Sequence, residues 1–368
     1  MNWTQIEVLS ISDIHLGNIN NPSENVINGL EKKLTIEYLS GLDLLFIVGD
    51  VFDKGLSLNH QDVFHIVPWI KRLLSRCANL NITVMVLEGT PSHDRLQSQL
   101  FVAINDASDL KCDLRYIKEV SIEYIEKYDI NILCIPDEKN TNDDITYHQL
   151  LDIMKSRAID KCDFGLVHGF FDFQIPEDYR VRFHDSDKYL NIVKYLIFVG
   201  HDHEFSKKDR IIVQGSPDRQ RFGMESNKGF VRATVYRDGT YEAKFVVNEY
   251  AMRFDTIEIN DDVSIALKQI KNKCKELNRR SHLRLVGHKN HPLLENLHEI
   301  QKQYPFIRIQ KKYIESENNN ILLSEEEKSY IPFVIDKSNI KDIIKDRLTI
   351  EMTNEEMDYF NSLIDSHI

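Results

Sequence analysis

Positive charge is scarce in this chain: 46 Lys and Arg stand against 58 Asp and Glu, a net charge of -12 over 368 residues. A surface of that sign repels a polyanion. Contact with a nucleic acid must therefore rest on a local site, on metal ions or on a basic partner. Cysteine is scarce too. Cys77, Cys112, Cys134, Cys162 and Cys274 are scattered, with no C-x-x-C pair and no even framework, so a disulfide scaffold is excluded and reduced, intracellular thiols are expected. Long apolar runs are missing as well. The first residues, Met1-Asn2-Trp3-Thr4-Gln5-Ile6-Glu7, have no basic start or apolar stretch of a leader, and no later run is long and apolar enough to span a bilayer. No membrane partner is expected, and the cytoplasm is the expected location. There is no internal repeat at solenoid periods.

What is present is the composition of a folded protein, 42% apolar and 10% aromatic, at a length that suggests roughly two domains. The apolar run of residues 7–11 reads as a buried strand that delivers Ser12-Asp13-Ile14-His15-Leu16-Gly17 to a loop, with Asp13 and His15 pointing the same way. Helical spacing over 26–39 precedes a second strand at 42–48, which ends in Gly49-Asp50-Val51-Phe52-Asp53. Asp50 is placed to bridge two ions if a second lies nearby. A helix is expected over 63–74, where Pro68 marks a kink or a boundary. The strand at 82–87 then ends in Glu88-Gly89-Thr90-Pro91-Ser92-His93-Asp94, a Gly/Pro loop carrying a histidine suited to general acid work. A strand pair around Lys127-Tyr128-Asp129, a helix over 145–159 and a strand at 163–167 ending in His168 follow. The run 195–199 ends in Gly200-His201-Asp202-His203. Strands at 210–214, 230–236 and 241–247 come next, the last two flanking Asp238-Gly239, a hairpin signal.

Beyond a boundary near 248–254, strands at 257–259, 283–286 and 306–309 alternate with helices over 263–277 and 293–303. Residues 311–328 are polar and read as linker. Two amphipathic helices close the chain: Ile340, Ile343, Ile344 and Leu348 lie at helical spacing in the first. Met357, Phe360, Leu363 and Ile364 do so in the second, after the capping-box pattern at Thr353. Each exposes an apolar stripe that packs back on the body or fits a partner groove.

Taken together, five apolar runs end in Asp, His or a Gly-led loop bearing them, which matches the rule that α/β sheets build sites at the carboxyl ends of strands. Asp13, His15, Asp50, His168, His201 and His203 supply mixed oxygen and nitrogen ligands for two ions sharing Asp50. That set suits Mn, Fe or Zn better than Mg or Ca, and paired ions suit phosphoester hydrolysis.

The ordered series Asp13-x-His15, Gly49-Asp50, Gly89 to Asp94, His168 and Gly200-His201-x-His203 resembles the calcineurin-like metallophosphoesterases over about residues 5–205. Within them, Gly49-Asp50-Val51-Phe52-Asp53, Gly215-Ser216-Pro217-Asp218-Arg219, Phe222-Gly223 and Lys228-Gly229-Phe230 are similar to the Mre11/SbcD DNA-repair nucleases. The Asn/Ile/Lys-rich wording suggests a phage-type subunit. The resemblance implies a metallophosphoesterase β-sandwich flanked by helices (α/β/β/α) over 1–249. It also implies a small α/β capping domain at 250–310, a linker at 311–337 and a helical partner-binding tail at 338–368. One ion would take Asp13, His15, Asp50 and His203. The second would take Asp50, His168, His201 and Ser92, which stands where the family's asparagine is expected. His93 and Asp94 match the catalytic pair, and Arg219 and Arg221 are candidates for DNA contact. The implied activity is a two-metal, Mn2+-dependent 3′-to-5′ exonuclease and endonuclease in DNA repair and recombination. Its partners would be an SMC-like Rad50/SbcC ATPase, bound through the C-terminal helices, and a second copy in a homodimer. A phosphoesterase with a substrate other than DNA and a catalytically weak scaffold subunit of the ATPase complex are the alternatives.

Overall fold

The computed structural model describes residues 3–57, 59–109, 111–137, 143–175 and 182–314. The two amphipathic C-terminal helices, from Ile340 to Ile364, and most of the expected linker lie outside the described residues.

Strands β1 (Gln5–Ile11), β2 (Leu44–Val48), β3 (Thr83–Leu87) and β4 (Leu114–Ile117) run parallel. β2 and β3 are buried along their whole length, which is why they read as unbroken apolar runs. A second sheet begins with the hairpin of β5 (Ser121–Ile125) and β6 (Ile130–Ile135). It continues through β7 (Phe164–His168) and β8 (Ile197–Gly200), parallel to β6, then reaches β9 (Ser206–Lys208) and β10 (Ile211–Val213) in the order β5-β6-β7-β8-β10-β9. The chain then returns to the first sheet as β11 (Gly229–Tyr236) and β12 (Tyr241–Val247), a hairpin laid antiparallel on β1, giving the order β12-β11-β1-β2-β3-β4.

The two six-stranded sheets face one another across a core that includes Val8, Phe46, Val48 and Met85 from one and Cys134, Phe164, Leu166 and Phe198 from the other. Each such side chain, fully buried, contributes roughly 1.5–3 kcal/mol. Helices Ser23–Lys33 and Val63–Asn79 cover the outer face of the first sheet with Val26, Leu30, Ile66, Ile70 and Leu73. Helices Asp143–Ser156 and Ser186–Ile192 cover the second with Leu150, Met154, Tyr189 and Ile192. The layering is α/β/β/α, an α/β fold.

Some boundaries differ from those expected. The helix expected over 26–39 is two, because Thr35 caps a new helix, Ile36–Leu39, by accepting from Tyr38 N at 3.2 Å. Helix Val63–Asn79 runs through Pro68, whose missing donor would have bonded the carbonyl of Phe64 in the exposed first turn, where solvent is free to replace it. The helix expected over 293–303 breaks at Asn296 into Pro292–Glu295 and Leu297–Gln303.

A third sheet, β13 (Phe254–Glu258), β14 (His282–Gly287) and β15 (Arg308–Tyr313), is parallel throughout and has its own core of Ala266, Ile270, Leu283, Leu285 and Ile300. β15 takes Lys311 and Lys312 as strand residues, so the linker does not begin at 311. Met1–Ile314 is one compact unit that includes this module. No helix among the described residues is long and apolar enough to cross a membrane.

Candidate metal centre

The carboxyl ends of β1, β2 and β3 in one sheet and of β7 and β8 in the other converge, because β2 packs against β7 and β8 across the core. The loops there are strained. Asp13, His15, Asp50 and His201 have φ of +54°, +51°, +50° and +92°, a region that costs a side-chain-bearing residue about 1–3 kcal/mol and that clusters at functional sites. Backbone bonds hold the strain in place: Asp13 N donates to Gly49 O at 3.0 Å, His15 N to Asp50 O at 3.0 Å and Leu16 N to Val51 O at 2.8 Å. Gly49 has φ +78°, and a Cβ on it would lie 2.1 Å from His168 Nδ1; one on Gly200 would lie 2.1 Å from Val48 O. Neither position can carry a side chain while these strand ends stay this close.

Three sets of metal-capable side chains result: Asp13, His15 and His203; Asp50, His168 and His201; and His15, Asp53 and His93. In the first, His15 Nε2 lies 3.1 Å from His203 Nε2, and Asp13 Oδ1 is 3.8 Å from His203 Nε2. In the second, His168 Nε2 lies 3.4 Å from Asp50 Oδ1 and 3.4 Å from His201 Nδ1. Asp50 joins the two, its Oδ2 being 3.7 Å from His15 Nε2. His168 donates from Nδ1 to Val48 O at 2.9 Å, which turns Nε2 toward the cluster.

The donor set suits a divalent cation. Two facing Nε2 atoms 3.1 Å apart can share at most one proton. Donors held about 2.0–2.2 Å from one ion are themselves about 3 Å apart. The electrostatics agree. Burial pushes the Asp13 carboxyl up to about 6. Burial would raise Asp50 too, but the imidazoles of His168, His15 and His93 overturn it and hold that carboxyl well below the usual range. Burial, helped by the neighbouring imidazoles, takes His201 down to about 4 and His203 to about 3, so both are neutral, the form that ligates. His168 goes the other way: burial opposes its charge, yet Asp50 raises it to about 10, so without a metal a proton sits where a cation would.

The structure moves several expected roles. Ser92 is exposed on a turn, with its carbonyl accepting from Arg95 Nε at 3.3 Å, and does not reach the cluster. Thr90 does. Its hydroxyl lies 3.2 Å from Asp50 Oδ2, 3.4 Å from His168 Nε2 and 3.3 Å from His201 Nδ1, and its N–H donates to Asp50 Oδ1 at 2.6 Å. Pro91 and Ser92, which follow Thr90, are both exposed. Asp94 is not a partner of the His93 ring. It is buried and accepts from Phe52 N and Gly89 N, each at 2.8 Å, tying the β2 and β3 loops together. Burial and the nearby Asp50 push its carboxyl up to about 7. His93 is held by Nδ1 on Asp53 O at 2.7 Å, with its ring centre 5.0 Å from that of His15. Arg219 is committed to backbone carbonyls, Met224 O at 2.8 Å, Ser226 O at 2.8 Å and Met252 O at 3.1 Å, which spends the donors that DNA contact would need. Arg221 is exposed on the same loop.

Two site residues went unassigned in the sequence. Asp53 Oδ1 lies 3.3 Å from His15 Nδ1 and accepts from Asn18 Nδ2 at 2.9 Å; its signal was a second carboxylate three positions after Asp50 in one loop. Thr90 had only its adjacency to Gly89.

No protein-family model matches the sequence, and no curated protein matches it. Among solved structures, GAP50, the anchor in the inner membrane complex of Plasmodium, is 12% identical, with 67% of this chain and 86% of that one covered, at a TM-score of 0.38. TT1561 of Thermus thermophilus is 10% identical, with 66% of this chain and 99% of that one covered, at a TM-score of 0.37.

Proposed function

We infer that this chain is a two-metal phosphodiesterase acting on DNA, a nuclease of the Mre11/SbcD kind that uses Mn2+. The observation that carries the reading is Asp50, with one carboxylate oxygen toward His15 and the other toward His168. Asp13, His15 and His203 would hold one ion. His168 and His201 would hold the other, with the Thr90 hydroxyl beside them. When bound, such a pair supplies the Lewis acidity that phosphoester hydrolysis draws on. The protein's own work is orientation and proton delivery. The Asp53 carbonyl fixes His93 Nδ1 as the N–H, so Nε2 is the atom that serves the leaving oxygen. His93 is half-exposed, and its ring centre lies 5.0 Å from that of His15, so a leaving group could reach it from solvent.

The test is Mn2+-dependent cleavage of DNA ends by wild type and His93→Ala. Cleavage by the wild type, and its loss in the variant with metal retained, is expected. A cleavage-competent His93→Ala would remove the assigned role.

The commitment of Arg219 to carbonyls and the acidic net charge favour a second reading, a phosphoesterase with a smaller substrate. Turnover of a generic phosphodiester with none on DNA would choose it. A Rad50/SbcC-like ATPase bound through 338–368 belongs to the first reading. Deleting those residues should abolish that assembly and spare basal hydrolysis.

A further inference from the structure

His203 sits between β8 and β9 in a segment without regular secondary structure, and 26% of its side chain is exposed, so packing alone does not fix it. Its backbone carbonyl is fixed. That oxygen accepts from Lys228 Nζ at 2.7 Å and from Ser216 N at 3.2 Å. The Lys228 side chain is wholly buried, a rare state for lysine that costs rotamer freedom and desolvation, and its other contact is a half-exposed carboxylate, Glu204 Oε1 at 2.8 Å. An apolar side chain such as Met would fill the same space without the cost of desolvating a charge. What it would not supply is the donor on His203.

We propose that Lys228 is a positioning residue for His203, holding the loop so that the imidazole stays 3.1 Å from that of His15. This rests on the metal-centre reading. The loop that carries Ser216 and Lys228 is itself anchored to the start of the β13 module: Asn248 Nδ2 donates to Pro217 O at 2.9 Å, Met252 N to Asp218 Oδ1 at 2.7 Å and Arg219 to Met252 O at 3.1 Å. The ligand is thereby referenced to the rigid body at two points rather than to its own turn. Groups that hydrogen-bond a ligating side chain typically alter metal affinity about 10- to 100-fold, and Lys228 orients its ligand through the backbone carbonyl instead.

The experiment is Mn2+ binding to the full chain, followed by calorimetry and by paramagnetic resonance. Wild type is expected to take two ions. Lys228→Met should keep a cooperative melt, bind one ion as wild type does and bind the other about 10- to 100-fold more weakly. Two ions at wild-type affinity in K228M would overturn the proposal. A wild type that takes no ion would overturn the metal-centre reading instead. Glu204→Ala leaves Nζ on the carbonyl and removes only the ion pair. It should bind both ions unchanged, and a tenfold fall in that variant would overturn the assignment to the carbonyl contact, whether or not K228M folds.

Discussion

Thr90→Val removes one hydroxyl and almost nothing else. The backbone N–H that bonds Asp50 Oδ1 at 2.6 Å stays, and the branched shape is kept. The lost oxygen sits within 3.2 to 3.4 Å of Asp50 Oδ2, His201 Nδ1 and His168 Nε2, so the variant subtracts a donor from the second set alone. Without metal, the loss of a hydrogen bond to a charged carboxylate should cost about 1–2 kcal/mol, the low end of the range because Thr90 is half-buried. With metal, weakening of one ion by about 10- to 100-fold is expected, since tenfold is about 1.4 kcal/mol. Thr90→Asn, with an amide oxygen, should bind that ion at least as tightly as wild type. Ser92→Ala should change nothing. Mn2+ titration of the three variants reads this directly. If Ser92→Ala loses the ion and Thr90→Val keeps both, the loop is threaded the other way and the reasoning fails.

Gly200→Ala puts a Cβ 2.1 Å from Val48 O and 2.8 Å from His168 Nδ1, so it should destabilise by about 3 kcal/mol or more, and an unchanged melting temperature would contradict the close approach. Asp94→Ala strands Phe52 N and Gly89 N at a cost of about 1–3 kcal/mol each, whereas Asp94→Asn keeps an acceptor and should recover part of the stability in denaturant melts. Asp218 is buried, which raises its carboxyl from 3.8 to about 7 on folding. The folded state then binds the proton more tightly, so this contribution is complete below about pH 4 and is lost as pH rises through about 7. The stability of Asp218→Asn relative to wild type should therefore climb from pH 4 to 8, and a constant difference would refute the raised carboxyl.

The strands that carry the site were legible because they are buried on both faces: β2, β3, β7 and β8 are unbroken apolar runs, and each hands a Gly, Asp or His to the loop that follows. Two edge strands, β4 and β9, were not. β4 is half-exposed or exposed up to its last residue, the buried Ile117, and β9 is Ser-Lys-Lys. Helix Gln99–Asp106 follows so closely on the His93 loop that its periodicity was lost in loop composition. Within the site, side chains that announce metal chemistry by type, such as Asp13, His15, Asp50, His168, His201 and His203, could be listed from the chain. Which hydroxyl faces the cluster depends on the path of the loop after Gly89, and that is pinned by the Thr90 N–H on Asp50, not by residue type. The same holds for Arg219 and Lys228. Arg219 reads by type as a DNA contact, but here it and Lys228 are turned inward onto backbone carbonyls.

The proposed dinuclear centre is tested most directly by anomalous diffraction from crystals soaked in Mn2+. Two peaks about 3.5–4 Å apart are predicted, one among Asp13, His15 and His203, the other among His168, His201 and Thr90, with Asp50 between them. No peak, or a single peak at His15, Asp53 and His93, would contradict it.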